Sequence, residues 1–380
     1  MARRKYGAVS WFERLRTLFI LLPLPFVTLS RLLLSPFLSS EKHKTWRRVL
    51  ADASFRYISS SMRVNEMQSV MGTTRDVYES WAKKNGLEAR IDELGDDARL
   101  LWFTERRTDK ILLYIHGGTY CLPLQDFAAT YWKETIANVE KTTGCKVGLV
   151  ALNYCKVLFS NDKFPTKGQL ALIPEAYFPT QLTQLVRAIH HLFQQGIHPS
   201  NIHFAGESAG GALVLQLLSH ILHPVPNVPP IAAKFGSACI MSPWVSVDGK
   251  TGSHLLNSNN DVLPAYTWAY LGEQSAPSFE VPGLGAEGAR PYLEALNAPE
   301  DWWYGLSGVV KRVFVSVGEY ECLRDDVVEV ARKLGKEGFV TTVVQTKGVH
   351  NDQYLDVMAG EKRPGELTLK ITEWLEQNLA

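Results

Sequence analysis

The sequence predicts an α/β fold: a mostly parallel central sheet with helices on both faces. Two features from residue 111 onward predict it. Short apolar runs recur, and longer amphipathic stretches separate them. Buried parallel strands read as continuous apolar runs, and the helices that connect them must cover both faces of the sheet.

The runs are Ile111 to Ile115, Lys146 to Leu152, Ile202 to Ala205, Ala238 to Met241, Val313 to Val317 and Val340 to Val344. The spacing predicts helices near 127–142, 180–195, 209–222, 326–335 and 366–378. Residues 41–100 read as mixed and helical. Hydrophobic residues make up 46% of the 380 and charged residues 21%, an ordinary globular balance that supports a large core. Net charge is +1, which gives no footprint for nucleic acid or a strongly acidic substrate. The five cysteines are irregularly spaced and suggest neither a disulfide framework nor a zinc site.

The first forty residues stand apart. Arg3, Arg4, Lys5, Arg14 and Arg16 form a basic lead. LFILLPLPF (Leu18 to Phe26) and LLLSPFL (Leu32 to Leu38) follow, broken by Pro23, Pro25, Arg31 and Pro36. A spanning helix needs roughly 20 apolar residues, so this is a marginal span. A kinked anchor, an interfacial segment, a cleaved signal and a helix packed on the protein itself all fit the pattern. The expectation adopted is membrane association through residues 17–38, at the endoplasmic reticulum, with secretion as the alternative. The basic lead keeps the start of the chain cytosolic. No N-x-S/T sequon occurs to support a lumenal side.

Gly206-Glu207-Ser208-Ala209-Gly210 fits G-x-S-x-G and falls at a strand-to-helix junction. There a serine on a sharp turn projects its hydroxyl above the sheet, and small neighbours let strand and helix close up. The start of the following helix favours developing negative charge. His116-Gly117-Gly118 follows the first clear strand. Two glycines bring backbone N–H groups within reach of a reacting carbonyl, and Ala209 N–H adds another donor. Each such donor lowers a barrier by roughly 3–4 kcal/mol. His116 reads as a structural hydrogen-bonder.

A serine nucleophile needs a base. Of the ten histidines only His350 follows the last strand-like run, in a loop reading Lys347 to Asp352. The order serine, acid, histidine places the acid after the run Val313 to Val317. Asp325 and Asp326 suit the start of the next helix, a structural task. Glu321 has no such task and is the preferred acid, with Asp325, Glu319 and Asp326 as alternatives.

These motifs resemble the hormone-sensitive-lipase-like family of α/β-hydrolases, and its fungal steryl acetyl hydrolase-like members, over residues 100 to 378. The resemblance rests on His116-Gly117-Gly118, Asn153-Tyr154, Pro174-Glu175, Phe178-Pro179, the elbow, Ser242-Pro243-Trp244, and the Gly318 to Asp326 loop with His350. It implies the α/β-hydrolase fold with a helical cap, and ester hydrolysis through an acyl-enzyme on Ser208, Glu321 and His350. The oxyanion hole would be Gly117, Gly118 and Ala209, with neither metal nor organic cofactor. The implied organisation is an N-terminal segment at 1–40, cap helices at 41–100, and a catalytic domain at 101–380 with a cap insertion at about 245–305. Thr119 stands where the family has a third glycine, and Glu207 where it has Asp. About 19 residues between Tyr154 and Pro174 form an insertion that would make a flap.

Trp244, Tyr266, Trp268, Tyr270, Trp302, Trp303 and Tyr304 make the second cap segment aromatic. They either line an apolar pocket for esters such as acetylated sterols or secondary metabolites, or fasten the cap to the core. The same triad also serves amide or lactone hydrolysis and acyl transfer, and the same fold serves non-catalytic ligand receptors.

Overall fold

A computed structural model describes residues 6–154, 178–247, 249, 252–275, 283–335 and 338–380. The predicted flap, with Pro174 and Glu175, lies outside these residues.

Five helices come first: α1 (Trp11–Leu21), α2 (Leu24–Leu34), α3 (Trp46–Ser61), α4 (Val64–Met71) and α5 (Thr74–Lys84). Then come β1 (Arg90–Gly95), β2 (Ala98–Trp102), β3 (Ile111–Ile115), α6 (Asp126–Thr143), β4 (Gly148–Asn153), α7 (Thr180–Gln194), β5 (Ile202–Glu207), α8 (Ala209–Leu222) and β6 (Phe235–Met241). The next segment holds α9 (Gly252–Asn257), α10 (Ala265–Ser275), α11 (Gly285–Leu293) and α12 (Leu306–Val309). The chain ends with β7 (Val310–Gly318), α13 (Arg324–Leu334), β8 (Val340–Gln345), α14 (Asp352–Ala359) and α15 (Glu366–Leu379).

The strands form one sheet in the order β1-β2-β4-β3-β5-β6-β7-β8. From β4 to β8 every pairing is parallel, while β1 and β2 join antiparallel. All six predicted apolar runs are strands and all five predicted helices are helices. Residues 41–100, expected to be helical, divide instead: helices continue to Lys84, and β1 and β2 then extend the sheet. The two strands meet at a turn whose Gly95, Asp96 and Asp97 have φ of 81°, 48° and 59°. β1, the edge strand, lacks the continuous apolar run that marks the central ones and buries none of its residues fully, whereas β2, between β1 and β4, is mostly buried.

Burial on both faces explains the central runs. Along β3, Ile111, Leu113 and Ile115 enter one core with α7, α8 and α13, while Leu112 and Tyr114 enter the other with α5, α6 and α15. This sheet brings the C-terminal ends of β3, β5, β6, β7 and β8 together along one edge, where a doubly covered parallel sheet holds its ligands.

The early helices are fixed to the late ones. Buried Arg48 on α3 reaches Asp352 at 2.6 Å on α14, as well as Asp356 on α14 and Asp52 on its own helix. In the aromatic segment, Trp244, Trp268 and Trp303 are buried while Tyr266 and Tyr304 are exposed. Trp302 stacks on His223 and donates to Ser219 Oγ at 3.1 Å, so it fastens the segment to α8 and the chain just beyond it.

Candidate active site

β5 ends at Glu207 and α8 starts at Ala209, so Ser208 makes the whole turn, with φ 52° and ψ −121°. A non-glycine residue there costs of order 1–3 kcal/mol. The surroundings hold it in place. Ser208 N donates to Met241 O at 3.0 Å, and Ser208 O accepts from Trp244 N at 3.0 Å. Gly210 is a steric necessity, because a Cβ there would sit 2.0 Å from Ile115 O.

The glycine turn after β3 lies against this elbow. A Cβ on Gly117 would come 3.1 Å from Ser208 Cβ and 2.9 Å from Glu207 O. The Gly117 N–H, expected as an oxyanion donor, points elsewhere: it donates to Glu207 Oε1 at 2.5 Å. Gly117 therefore makes room for the nucleophile's turn, and its amide is committed to the glutamate. Past it, Gly118, Thr119 and Tyr120 run through positive φ of 97°, 51° and 60°. Left-handed backbone of this kind can turn amides into an anion-binding concavity. Ala209, the first residue of α8, is buried beside Ser208. His116 accepts no solvent role: it is buried, stacks on Tyr154 at 4.7 Å and contacts Thr74 Oγ1 at 3.3 Å.

Glu207 is buried and also accepts from Tyr114 OH at 3.0 Å and Tyr354 OH at 3.1 Å. Burial pushes its carboxyl up to about 7, even though these donors pull it down. In the fold the group therefore keeps its proton between about 4.5 and about 7, where the unfolded chain releases it. The native state binds more protons in that window, so stability should fall as pH rises through it, by up to roughly 3 kcal/mol. Glu207→Gln should flatten this slope in urea titrations between pH 4.5 and 8 and leave hydrolysis within about threefold of the parent. An unchanged slope would remove Glu207 from the account.

Of the four candidate acids, Glu321 is the one placed against His350. It is fully buried in the turn after β7, with Oε1 3.3 Å from His350 Nδ1. Ser242 Oγ also donates to that oxygen. Asp325 lies in the first turn of α13, not at its cap, and accepts from Ser253 N at 2.9 Å. Glu319 accepts from Lys347 N at 2.7 Å, and Asp326 faces His254 at 3.8 Å. His350, in the loop between β8 and α14, stands edge-on to Trp268 at 4.9 Å, and its Nε2 lies 3.0 Å from Asn351 Nδ2. In the tautomer that carries its proton on Nδ1, the nitrogen nearer Glu321, Nε2 holds the lone pair and faces Asn351 Nδ2.

Asp261 was not singled out in the sequence. It is 1% exposed and accepts from His350 N at 3.0 Å and Cys322 N at 2.9 Å, so it ties the loops of both triad candidates to the segment between β6 and β7. Burial and the nearby Glu321 raise its carboxyl above the usual range. Its one legible feature is an acidic residue in an otherwise polar Asn-rich stretch, which does not point to a site. Among the described residues no cluster of His, Cys, Asp or Glu is arranged to hold a metal ion.

Comparison with known proteins agrees with this architecture. A family model described as the α/β hydrolase fold matches residues 169–353. A putative steryl acetyl hydrolase of Schizosaccharomyces pombe is 26% identical over 266 residues, 66% of this chain and 61% of that protein. An acetyl-hydrolase of Streptomyces hygroscopicus is 26% identical over 165 residues, 43% of this chain and 45% of that protein. The chain thus spans about half to six tenths of these relatives' lengths. Among solved structures, an esterase from the bacterial hormone-sensitive lipase family superposes with a TM-score of 0.59 at 20% identity, covering 89% of this chain and 99% of that one. A hormone-sensitive lipase from a metagenome library gives 0.60 at 20% identity, covering 88% and 98%.

Proposed function

This chain is an α/β-hydrolase of the hormone-sensitive-lipase-like kind, and from that premise we propose that it hydrolyses carboxylic esters through an acyl-enzyme on Ser208. The observation that carries the reading is the buried Glu321 carboxylate on the Nδ1 side of His350, at the same sheet edge as the Ser208 turn.

In this mechanism His350 Nε2 exchanges its contact with Asn351 for the Ser208 hydroxyl and takes its proton as Oγ attacks the ester carbonyl, and Glu321 holds the ring and stabilises its cation. The tetrahedral oxyanion is met by the amides of Gly118 and Ala209, with Gly117 acting as spacer. His350 then passes the proton to the leaving alcohol. A water activated by the same ring releases the acid and restores Ser208.

Two of the relatives are acetyl hydrolases by name, which favours a short acyl chain here as well. Thr119 at the position of the family's third glycine also narrows the acyl side. Trp244 and Trp268, buried between the Ser208 turn and His350, favour an apolar alcohol part. Residues 41–84 and about 245–305 act as the cap, and the N-terminal helices associate with a membrane.

A fluorophosphonate probe should label the protein and fail on Ser208→Ala. In a panel of acetate esters, a lactone and a formamide, acetate esters should be turned over faster by at least about tenfold. Absence of labelling would favour a ligand receptor, and preference for the lactone or formamide would replace the ester assignment.

A further inference from the structure

The described chain exposes twenty large hydrophobic side chains, and ten of them fall between Trp11 and Phe37. Between Arg14 and Lys42 every exposed residue is apolar except Ser30 and Ser39. The ends of this strip carry exposed Trp11 with Arg14, and Trp46 with Lys42 and Arg47. By length and composition the run Trp11–Phe37 could cross a membrane.

Its polar groups, however, are tied to the body of the protein along its whole length. Asn65 Nδ2 donates to buried Glu13 at 2.8 Å. Arg16 pairs with Glu66 and donates to Ser61 O at 3.0 Å. Tyr57 OH donates to Ile20 O at 3.0 Å, and Arg31 Nε donates to Glu41 at 2.6 Å. These bonds come from α3, α4 and the turn before α3. They turn one side of α1 and α2 inward and leave the apolar side outward. Each helix is eleven residues, roughly 16 Å, about half a hydrocarbon core.

We propose that α1 and α2 are a lipid-docking face that lies flat in one leaflet of a bilayer, and that the substrate is an ester dissolved in that leaflet. Three features favour lipid over a second copy of the chain: a strip whose fully exposed residues carry no charge and whose two half-buried arginines are paired with Glu66 and Glu41, tryptophans at both borders, and basic residues beside them at headgroup level. The strip also reaches the site. Ile20 and Leu21 pack on the cluster holding Cys121, Tyr120 and Leu122, the residues directly after the glycine turn. The backbone of that turn is closed by Cys121 N and Leu122 N donating to Gly118 O at 2.9 and 2.8 Å. Docking therefore sets the leaflet against helices that share one apolar cluster with the residues after the glycine turn, and delivery of an apolar ester through that side avoids water. Only this delivery step rests on the ester-hydrolase reading.

The test uses the full chain with vesicles of about 3:1 phosphatidylcholine to phosphatidylserine. Phe19, Phe26 and Phe37 are 70%, 75% and 85% exposed, so replacing them with Ser leaves the core untouched. The parent should float with the vesicles. The triple variant Phe19→Ser, Phe26→Ser, Phe37→Ser should bind more than about tenfold more weakly and lose hydrolysis of vesicle-dissolved sterol acetate in proportion. Its hydrolysis of p-nitrophenyl acetate in solution should stay within about twofold of the parent. A fluorophore on Phe19→Cys, Phe26→Cys or Phe37→Cys should be quenched by shallow spin-labelled lipid at all three positions. Equal flotation of parent and variant would overturn the proposal. So would a dimer in light scattering with these positions protected without lipid, or quenching that deepens steadily from 19 to 37 as in a spanning helix. Flotation as expected with no ester turned over would sink the ester reading and leave docking intact.

Discussion

Ser208→Gly should abolish turnover and at the same time raise stability. In the proposed mechanism, removing the hydroxyl leaves His350 with no proton to take, and loss of a serine nucleophile of that kind lowers kcat by about 10⁶. The residual rate should be the same in His350→Ala and in the double variant, because the two groups act as one device. Glu321→Ala should cost less, on the order of 10⁴, since the ring loses its orientation but not its lone pair. The stability gain comes from the backbone. At φ 52° and ψ −121° any side chain is strained, and glycine is not. Relief of about 1–3 kcal/mol should appear in urea melts. Ser208→Ala keeps a Cβ, so it should lose turnover equally without the gain. Wild-type turnover in Ser208→Gly, or equal melts for the Gly and Ala variants, would refute the assignment of strain and nucleophile to one residue.

Arg48→Met should destabilise the fold by about 3–5 kcal/mol. The guanidinium is buried among the carboxylates of Asp52, Asp352 and Asp356. Burial alone would raise Asp352, yet Arg48 beside it holds that carboxyl below its usual range. Removing the cation leaves buried negative charges, and this outweighs any gain from the apolar methionine. Asp352 also accepts from Val349 N at 3.2 Å and Gln345 Nε2 at 2.8 Å, which shapes the loop that carries His350. Activity should therefore fall with stability. Adding Asp352→Asn to Arg48→Met should recover part of the loss, a coupling of about 1–3 kcal/mol in a double-mutant cycle. A single variant as stable as the parent would mean that water reaches the cluster.

The central strands were legible because a strand buried on both faces has no polar alternation to hide it. β1 was not, since an edge strand half open to solvent lacks that run, and the short Leu100-Leu101-Trp102 run of β2 was absorbed into the helical reading of residues 41–100. α14 was hidden because Asn351-Asp352 read as a continuation of the His350 loop. Glu321 could be singled out because Asp325 had a local task, although that task proved to be Ser253 N and not the helix cap. The Gly117 amide could not be read correctly, because a sequence does not state which way a backbone N–H points. Its partner Glu207 was noticed only as a departure from Asp. Asp261 was invisible for a related reason: its partners, Cys322 and His350, are brought to it only by the finished sheet.

The ion cluster at Arg48 also orders events during synthesis. Arg48 and Asp352 are 304 positions apart, so a ribosome adding about 5–20 residues per second needs on the order of 15–60 s to deliver the second after the first. Throughout that interval the apolar strip has emerged while the late carboxylates that fix α3 do not yet exist. A nascent chain in this state exposes its greasiest surface at its least folded moment, when nearby lipid or a holding chaperone is its protection against self-association.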